Sequence, residues 1–293
     1  MRVLVTGCNG QVGYCLTNML SKTDGVTLLA VDREELDITD QDAVATTVKE
    51  FKPTIIINAA AHTAVDRAEQ EVELSYAINR DGPKFLAEAA QEAGAAVLHI
   101  STDYVFEGNK NGEYLETDIT SPQGIYGASK LAGEIAVVEA CDKHIILRTA
   151  WVFGEHGNNF VKTMLRLAAT RNELSIVGDQ FGGPTYAGDI AKVLVEIANR
   201  IGMGESVRYG VYHYSGLPHV SWYEFASAIF DSAVEHCVLE NKPTLSSITT
   251  EQYPTPAKRP SNSKLNTRKI NEEFAIEASD WAKALKNIKA YTE

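Results

Sequence analysis

The sequence has little positive charge: 27 Lys and Arg residues stand against 39 Asp and Glu residues, giving a formal net charge of −12. An acidic chain with no long basic run lacks the electrostatic footprint of a general nucleic-acid-binding protein. A small anionic ligand needs only one or two local cations, so the charge balance leaves that class of ligand open. We therefore expect no nucleic-acid partner.

Long apolar runs and paired cysteines are also absent. No apolar run reaches the roughly 18 residues of a membrane-spanning helix, and the first seven residues contain no apolar signal-peptide core. The four cysteines form neither a CxxC pair nor a zinc-ligand spacing. With 44% hydrophobic residues the chain can still bury a large core. These features predict a cytoplasmic protein with reduced thiols and no membrane partner.

What is present in the first half is an alternation of short apolar runs and longer amphipathic stretches. We expect buried strands at 3–5, 28–31, 55–57, 97–100 and 145–147, and helices near 11–21, 40–51, 72–94 and 124–141. Continuously apolar strands separated by helices indicate βαβ units and a parallel sheet covered on both faces. The sequence predicts an α/β fold with a Rossmann-type doubly wound parallel sheet, whose ligand crevice lies at the carboxyl ends of the strands.

A glycine-rich segment, Gly7-Cys8-Asn9-Gly10-Gln11-Val12-Gly13, follows the first expected strand and opens the first expected helix. In that context Gly7 permits a tight turn, Gly10 lets the backbone approach a pyrophosphate, and Gly13 lets the helix pack closely on the strand. The phosphates would lie at the helix N-terminus, where unpaired N–H groups and the helix dipole favour an anion. The segment predicts a nicotinamide dinucleotide site.

The residues after the second and third strands bear on which dinucleotide binds. Asp32 lies about 20 residues after the loop, where a carboxylate binds the adenosine ribose and favours NADH. Arg33 beside it is either a cation for the 2′-phosphate of NADPH or a solvated surface charge. Asp37 and Ile38 are expected to flank the adenine, and Ala59, Ala60 and Ala61 leave room for the cofactor. The predicted cofactor is NADPH or NADH.

After about residue 150 the alternation loosens. Helices are expected near 158–171, 187–201 and 222–235, and residues 253–260 are expected to form a loop. We predict an NAD(P)-binding domain over 1–150, rejoined by parts of 175–202, and a smaller, partly interleaved substrate-binding lobe over 151–293.

A Tyr and a Lys four residues apart suggest a catalytic group. Tyr126 and Lys130 share one face of the helix expected at 124–141, and Thr102 ends the fourth strand. A free Tyr has a pKa of about 10, and a nearby ammonium is expected to lower it, which brings proton exchange into range. A bare YxxxK pattern more often marks a helix surface, but Thr102 can reach the same crevice and bond the reacting oxygen.

At this point the sequence resembles the extended short-chain dehydrogenase/reductases, over nearly its whole length. The segments that carry the resemblance are 7–13, 58–66, 101–106, 126–134, 148–154, 179–185 and 259–263. Within that family the chain is similar to reductases of nucleotide-linked 4-keto sugars. The resemblance implies hydride transfer from NAD(P)H to C4 of dTDP-4-dehydro-6-deoxy-L-mannose, which gives dTDP-L-rhamnose. Tyr126 would donate the proton, Thr102 would bond the oxygen, and Lys130 would also bind the nicotinamide ribose.

The resemblance also implies a set of substrate contacts, each with a simpler alternative. The residues are His62, Val65, Asp66, Thr102, Asp103, Trp151, Asn159, Gln180, Thr185 and Arg259. Arg259 is the best candidate for the diphosphate, because its planar fork suits phosphate oxygens. The alternatives are a helix cap or core residue for His62, a turn cap for Asp103, a helix cap for Asn159, core packing for Trp151 and an isolated surface charge for Arg259.

The chain departs from the family at one point. Some members dimerise around a Mg²⁺ held by acidic side chains, but this sequence has Cys15 and Gly188 at the two matching positions. Neither supplies the carboxylate oxygen that a hard cation prefers. We expect no metal, and a monomer or a weak homodimer without a metal bridge.

Two other functions remain open on the same fold. One is a nucleotide-sugar 4-epimerase or 4,6-dehydratase, although dehydratases place an Asp-Glu pair after the catalytic Thr, whereas Thr102 is followed by Asp103-Tyr104. The other is a non-catalytic, NADP-binding regulatory subunit like the β subunit of methionine adenosyltransferase.

Overall fold

The structure is a computed structural model that describes residues 1–292. Its strands within that range are β1 (Arg2–Thr6), β2 (Thr27–Val31), β3 (Ile55–Asn58), β4 (Ala96–Thr102), β5 (His144–Thr149), β6 (Val152–Phe153), β7 (Glu173–Val177), β8 (Phe181–Gly182), β9 (Thr185–Tyr186), β10 (Gly210–His213), β11 (Val220–Ser221), β12 (Thr244–Ile248) and β13 (Asn262–Ser263).

Helices cover the sheet faces and build most of the second half. They are α1 (Gln11–Leu20), α2 (Gln41–Phe51), α3 (Val65–Ala68), α4 (Val72–Tyr76), α5 (Gly82–Ala93), α6 (Ile125–Ala140), α7 (Phe160–Ala168), α8 (Ala187–Gly202), α9 (Trp222–Glu235), α10 (Arg268–Phe274) and α11 (Trp281–Leu285). A π-helical turn at Ala77–Asp81 joins α4 to α5, and 3₁₀ turns lie at Asp103–Val105, Thr250–Gln252 and Ile288–Tyr291. Among the described residues, no helix combines the length and apolar character needed to cross a membrane.

The main sheet is parallel throughout, with the strand order β2-β1-β3-β4-β5-β10. The chain passes from β1 outward to β2 and then returns to β3 on the other side of β1. This reversal opens a crevice at the carboxyl ends of β1 and β3, where doubly wound sheets bind their ligands. The predicted Rossmann-type α/β fold is confirmed, as are the strands expected in the first half.

The two faces of the main sheet explain why its strands are continuously apolar. Val3 and Val5 of β1 lie in a buried cluster with Leu16 of α1 and Leu194 of α8. Leu4, which points to the opposite face, lies in a second cluster with residues of α2 and α5. α10 packs into the first cluster, and β10 is a strand of the main sheet. The lobe built on this sheet therefore includes residues after position 150.

The second lobe has its own core. Phe153, Phe225, Phe230 and Trp281 are buried together, and they bring α7, α9 and α11 around the parallel pair β7–β12. β8 pairs with both β11 and β13, which brings distant parts of the chain to one place. Residues 253–260 contain no helix or strand, as expected. This lobe faces the carboxyl ends of β4 and β5.

Candidate active site

The glycine loop between β1 and α1 has a backbone that requires glycine at two positions. Gly7 has a φ of +71°, and a Cβ on it would lie 2.6 Å from the backbone nitrogen of Ala60. A Cβ on Gly13 would lie 2.0 Å from the carbonyl oxygen of Gly7. α1 begins after Gly10 with no side-chain cap, so its first N–H groups face the crevice without a side-chain partner. This cradle fits a dinucleotide pyrophosphate.

A cavity of about 290 Å³ lies beside this loop, and we call it the cofactor cavity. It is lined by Gly7, Gly10, Asp32, Arg33, Leu36, Asp37, Ile38, Thr39, Ala59, Ala60, Ala61, Leu74, Ala77 and Ile78. The Asp32 carboxylate accepts the N–H of Asn9 at 2.8 Å, which fixes the acid next to the loop. The side chain of Arg33 is 73% exposed, 3.7 Å from the carboxylate of Asp37. The cavity suits an adenosine half. The exposed Arg33 fits both expectations, a cation for a 2′-phosphate and a solvated surface charge.

Three loop residues join other parts of the molecule instead of lining this cavity. Val12 is buried in the core. The carbonyl oxygen of Asn9 accepts a hydrogen bond from Nε2 of His156 at 2.9 Å, and Oε1 of Gln11 accepts one from Asn159 at 3.1 Å. The loop is therefore tied to the second lobe through residues 156 and 159.

Asn159 is fully engaged as the N-cap of α7. Its Oδ1 accepts the N–H of Lys162 at 3.1 Å. Its amide nitrogen donates to Gly154 O at 2.7 Å and to Gln11 at 3.1 Å. Both amide hydrogens are used, so the structure displays the capping alternative. Diphosphate binding by Asn159 stays a prediction.

Thr102 and Tyr126 meet at the carboxyl end of β4. The Thr102 hydroxyl donates to Asp103 Oδ1 at 3.0 Å and accepts the N–H of Tyr104 at 3.2 Å. Burial raises the pKa of Tyr126, the hydrogen bond with Thr102 opposes the rise, and the charges of Asp103 and Tyr104 add to it. The expected lowering of the Tyr126 pKa is wrong for this structure, because burial raises it. The nitrogen of Lys130 donates to the carbonyl oxygen of Ile100 on β4.

Lys130 is buried beneath the site. Its Nζ donates to the carbonyl oxygen of Ile100 at 2.7 Å and lies 3.3 Å from Nε2 of His99. Burial lowers the pKa of Lys130 to about 8, and the carboxylate of Glu134 one turn later opposes this. Arg148 holds Glu134 by two hydrogen bonds of 2.9 and 2.7 Å. This buried ion pair fixes α6 against β5, and with it Tyr126 and Lys130.

A larger cavity of about 860 Å³ opens between the second lobe and the end of β4, and we call it the substrate cavity. Its wall includes Asp66, Tyr104, Trp151, Phe160, Thr163, Met164, Leu167, Arg171, Glu173, Gln180, Trp222, Gln252, Tyr253, Thr255, Arg259, Pro260 and Ser263. Arg259 donates to the Asp66 carboxylate at 2.6 Å, and the other oxygen of Asp66 accepts the N–H of Ala257 at 3.1 Å. Asp66 therefore holds the guanidinium at the wall.

An aromatic surface forms part of the same wall. The rings of Trp151 and Trp222 stack with centroids 3.5 Å apart and planes 10° apart, and Phe160 lies 4.5 Å from Trp222. Trp151 has a φ of +50°, which is strained for a residue with a Cβ. A Cβ on Gly182 would lie 2.6 Å from the Trp151 ring, so a glycine is needed behind it. The pair offers a flat apolar face for a sugar or a base.

Some predicted substrate residues face other parts of the molecule. His62 bonds Ser75 through Nδ1 at 2.9 Å and lies 3.1 Å from Glu71 through Nε2. The buried Thr185 hydroxyl donates to Gly183 O at 2.9 Å. Val65 begins α3 and, like these two, is absent from the wall residues described above. Their roles in substrate binding stay predictions.

Asp103 and Gln180 lie close to the site, and each is bonded to another side chain of this protein. Asp103 is buried behind Thr102, and burial raises the pKa of its carboxyl to about 6 while the hydroxyls of Ser263 and Thr102 oppose the rise. Gln180 is on the cavity wall and donates to the hydroxyl of Thr250 at 3.0 Å. Asp103 therefore acts on the site through Thr102.

The wall residues that the sequence interpretation missed include Tyr104, Phe160, Trp222 and Ser263. Tyr104 and Ser263 lie inside segments that carry the family resemblance, which was the available signal. Phe160 and Trp222 each begin a helix, α7 and α9, and a lone aromatic at a helix start predicts core packing as readily as a ligand contact. Only the folded structure of the second lobe shows that both rings lie on the wall of the substrate cavity.

The two positions that differ from the metal-binding members lie near one another. Burial raises the pKa of the Cys15 thiol to about 11, with a further contribution from Glu155. Asp189, next to Gly188, accepts a hydrogen bond from Ser279 at 2.6 Å. In residues 1–292 no group of three or more His, Cys, Asp or Glu side chains is arranged to hold a metal. The absence of a metal remains a prediction.

The comparison with known proteins covers the entire chain. The family described as RmlD substrate binding domain matches residues 1–292. A dTDP-4-dehydrorhamnose reductase from Aggregatibacter actinomycetemcomitans is 56% identical over 292 residues, which are 100% of this chain and 99% of that protein.

Solved structures give the same likeness. A crystal structure of a dTDP-4-dehydrorhamnose reductase from Clostridium acetobutylicum has 40% identity and a TM-score of 0.91, and the match covers 98% of each chain. A dTDP-4-dehydrorhamnose reductase from Bacillus anthracis, solved in complex with NADP, has 40% identity and a TM-score of 0.88 over 98% of this chain and 97% of that one.

Proposed function

The chain belongs to the RmlD substrate binding domain family, and from this membership we propose that it is the reductase that completes dTDP-L-rhamnose synthesis. It reduces the C4 keto group of dTDP-4-dehydro-6-deoxy-L-mannose by hydride transfer from NADPH or NADH. The sugar is then released as dTDP-L-rhamnose, and the oxidised cofactor leaves with it. The proposal concerns both the reaction and the residues that carry it.

One observation supports the assignment of roles: the hydroxyl groups of Thr102 and Tyr126 are hydrogen-bonded to each other, beside Tyr104 on the wall of the substrate cavity. Ala59–Ala61, after β3, line the cofactor cavity, and Tyr104, two residues after Thr102, lines the substrate cavity. Tyr104 also packs edge-on against Tyr126, with ring centroids 5.4 Å apart. A carbonyl group held here would have two hydroxyl groups beside its oxygen, and a nicotinamide bound in the cofactor cavity would supply the hydride.

The chemistry divides between cofactor and protein. When bound, the reduced nicotinamide supplies the hydride. Tyr126 gives its phenolic proton to the carbonyl oxygen as negative charge develops there, and the Thr102 hydroxyl turns its hydrogen from Asp103 to donate a second hydrogen bond. Because burial raises the pKa of Tyr126, the phenol keeps its proton until the oxyanion forms. The ammonium of Lys130 then stabilises the phenolate.

The substrate cavity supplies orientation. Arg259 offers a planar fork to the diphosphate, with Asp66 holding it in place. The Trp151–Trp222 pair excludes water from the sugar face, which strengthens the hydrogen bonds at the reacting oxygen. Division of the chain into a cofactor lobe and a substrate lobe near residue 150, a place in the cytoplasm, and a monomer or weak homodimer without a metal bridge are further parts of this proposal.

The deciding assay mixes purified protein, NADPH and dTDP-4-dehydro-6-deoxy-L-mannose and follows both nicotinamide oxidation and the sugar product. We expect one NADPH oxidised per dTDP-L-rhamnose formed. Product without net oxidation would instead identify an epimerase. No turnover on any nucleotide sugar, together with recovery of a stoichiometric synthetase partner, would identify a regulatory subunit.

A further inference from the structure

A chain of buried polar side chains crosses three neighbouring strands of the main sheet and ends at Lys130. Thr6 Oγ1 donates to Asn58 Oδ1 at 2.7 Å, and Asn58 Nδ2 lies 3.0 Å from His99 Nδ1. His99 Nε2 lies 3.3 Å from Lys130 Nζ. These four side chains come from β1, β3, β4 and α6, and each residue is at most 2% exposed. A buried polar chain across three strands is costly unless each member is paired.

The backbone fixes the direction of this chain. The N–H of Ala60 donates to Asn58 Oδ1 at 3.0 Å, and a backbone N–H can only donate. The Asn58 oxygen must therefore face Ala60 and Thr6, which leaves its NH₂ group facing His99. Nδ1 of His99 then accepts, and it carries no hydrogen.

The same logic fixes the hydrogen on the imidazole. Burial, and then the charge of Lys130, lower the pKa of His99 well below its usual value, so the ring is neutral. A neutral imidazole whose Nδ1 accepts carries its hydrogen on Nε2. That hydrogen points at Nζ of Lys130.

An N–H directed at Lys130 discriminates between the two forms of its side chain. An ammonium has three donors and no lone pair, so it meets the His99 N–H as a second donor; a neutral amine can accept it. The carbonyl of Ile100 accepts from Nζ in either form. The His99 N–H therefore favours the amine over the ammonium.

Other charged and titratable groups also surround Lys130. They are Tyr126 and Glu134 on α6, Asp103 and Tyr104 after β4, Arg148 on β5, and Glu69, whose carboxylate accepts the N–H of Ile125. Arg80, Asp81, Lys84, Glu88 and Glu139 line a hollow on the outer side of α6. Glu134 favours the ammonium, but its carboxylate is shared with Arg148 and Ser101.

We propose that His99 and Asn58 are positioning residues that set the ionisation of Lys130 and, through it, the upper pH limit of the reaction. The inference rests on the proposed function, in which the Lys130 ammonium stabilises the Tyr126 phenolate. The chain orients Lys130 but does not conduct protons, because the amide of Asn58 neither gives up nor takes a proton at working pH.

The variant Asn58→Asp tests the direction of the hydrogen bonds along this chain of side chains. A carboxylate in place of the amide accepts from both Ala60 and His99, which moves the imidazole hydrogen to Nδ1 and leaves Nε2 as an acceptor for the ammonium. With saturating NADPH, kcat/KM of the wild type should fall above about pH 8, the pKa of Lys130. In Asn58→Asp the fall should move up by about one pH unit or more.

Two further variants make the result specific. His99→Phe removes the N–H without supplying an acceptor, so it should move the fall upward by less than Asn58→Asp does. Thr6→Val removes a hydroxyl at the far end of the chain without reversing it, so the fall should stay at the wild-type pH. An identical fall in the wild type, Asn58→Asp and His99→Phe would overturn the proposal.

Nitrogen-15 NMR of histidine-labelled protein gives a readout that does not depend on turnover or on Asn58→Asp folding. The resonance lost in His99→Phe should show Nε2 protonated and Nδ1 bare in the wild type between pH 6 and 9. Hydrogen on Nδ1 would overturn the inference even if the reductase activity stands. Absence of turnover in the wild type would instead refute the proposed function, while the NMR result would still decide the direction of the chain.

Discussion

The cofactor cavity and the substrate cavity differ in the groups that form their walls. The first, about 290 Å³, is lined by glycine, alanine and aliphatic side chains together with Asp32, Arg33 and Asp37, and Asp32 is fixed by the N–H of Asn9. The second, about 860 Å³, is lined by aromatic rings and charged side chains such as Arg259. We expect the cofactor cavity to bind its ligand through close approach of the backbone, and the substrate cavity to bind its ligand through contacts with side chains. Substitutions should therefore act on the two ligands by different routes.

The largest effect is expected at Tyr126, which is not among the residues that line either cavity. Tyr126→Phe removes the proton donor and should lower kcat by about 10³-fold, the scale of a lost general acid or oxyanion donor. Affinity for NADPH, measured by quenching of protein fluorescence, should stay within about twofold, since the glycine loop and Asp32 are untouched.

Tyr104→Phe is the matched control, because this phenol packs 5.4 Å from Tyr126 and lines the substrate cavity. Burial raises the pKa of Tyr104 to about 12 and Arg259 opposes the rise, so its role is to contact Arg259. We expect it to raise KM with little change in kcat. A loss of kcat as large as that of Tyr126→Phe would contradict the assignment of proton donation to Tyr126 alone.

The second effect tests the side-chain character of the substrate cavity. Arg259→Ala removes the guanidinium that Asp66 holds and should raise KM for the nucleotide sugar by about 10- to 100-fold, the worth of a charged hydrogen bond. Affinity for NADPH should not change. Lys258→Ala removes the neighbouring cation, which contacts Gln123 at 3.3 Å, and should leave KM unaltered. Equal losses in both variants would point to general charge attraction.

The third effect tests the backbone character of the cofactor cavity. A Cβ on Gly13 would lie 2.0 Å from the carbonyl oxygen of Gly7, so Gly13→Ala must displace the loop and should weaken NADPH binding by about tenfold or more. Gly10→Ala would place its Cβ 3.3 Å from the same oxygen, and its effect should be smaller. Isothermal titration with NADPH ranks the two. The reverse ranking would mean that the loop adapts to Gly13→Ala.

The same contrast explains what could be predicted from the sequence. The glycine loop, Asp32 and the strands lie within one βαβ unit, where residue spacing alone determines which groups meet, and the structure places them together. Asp66 and Arg259 are 193 residues apart, and no local pattern indicates that they touch. Their inclusion depended on family resemblance.

Two other features required the folded chain. The direction of the Tyr126 pKa shift depends on burial, and burial cannot be read from a YxxxK spacing. His62 lies on a predicted site segment, but both of its ring nitrogens have partners elsewhere. Nδ1 bonds Ser75 of α4, and Nε2 lies beside Glu71, which precedes α4. Tertiary contacts that compete for a polar side chain decide such cases.

The smallest expected effect concerns the place where the two regions touch. Asn159 caps α7 and also bonds Gln11 of the glycine loop. If it is a cap alone, Asn159→Ala should lower the free energy of unfolding by about 1 kcal/mol. Asp40→Ala, which removes the cap of α2 from Ala43 at 3.0 Å, is the matched control and should cost about the same. Urea titration measures both. A KM for the nucleotide sugar that rises only in Asn159→Ala would show that its NH₂ group also reaches the diphosphate, and that this group must release Gly154 or Gln11 to do so.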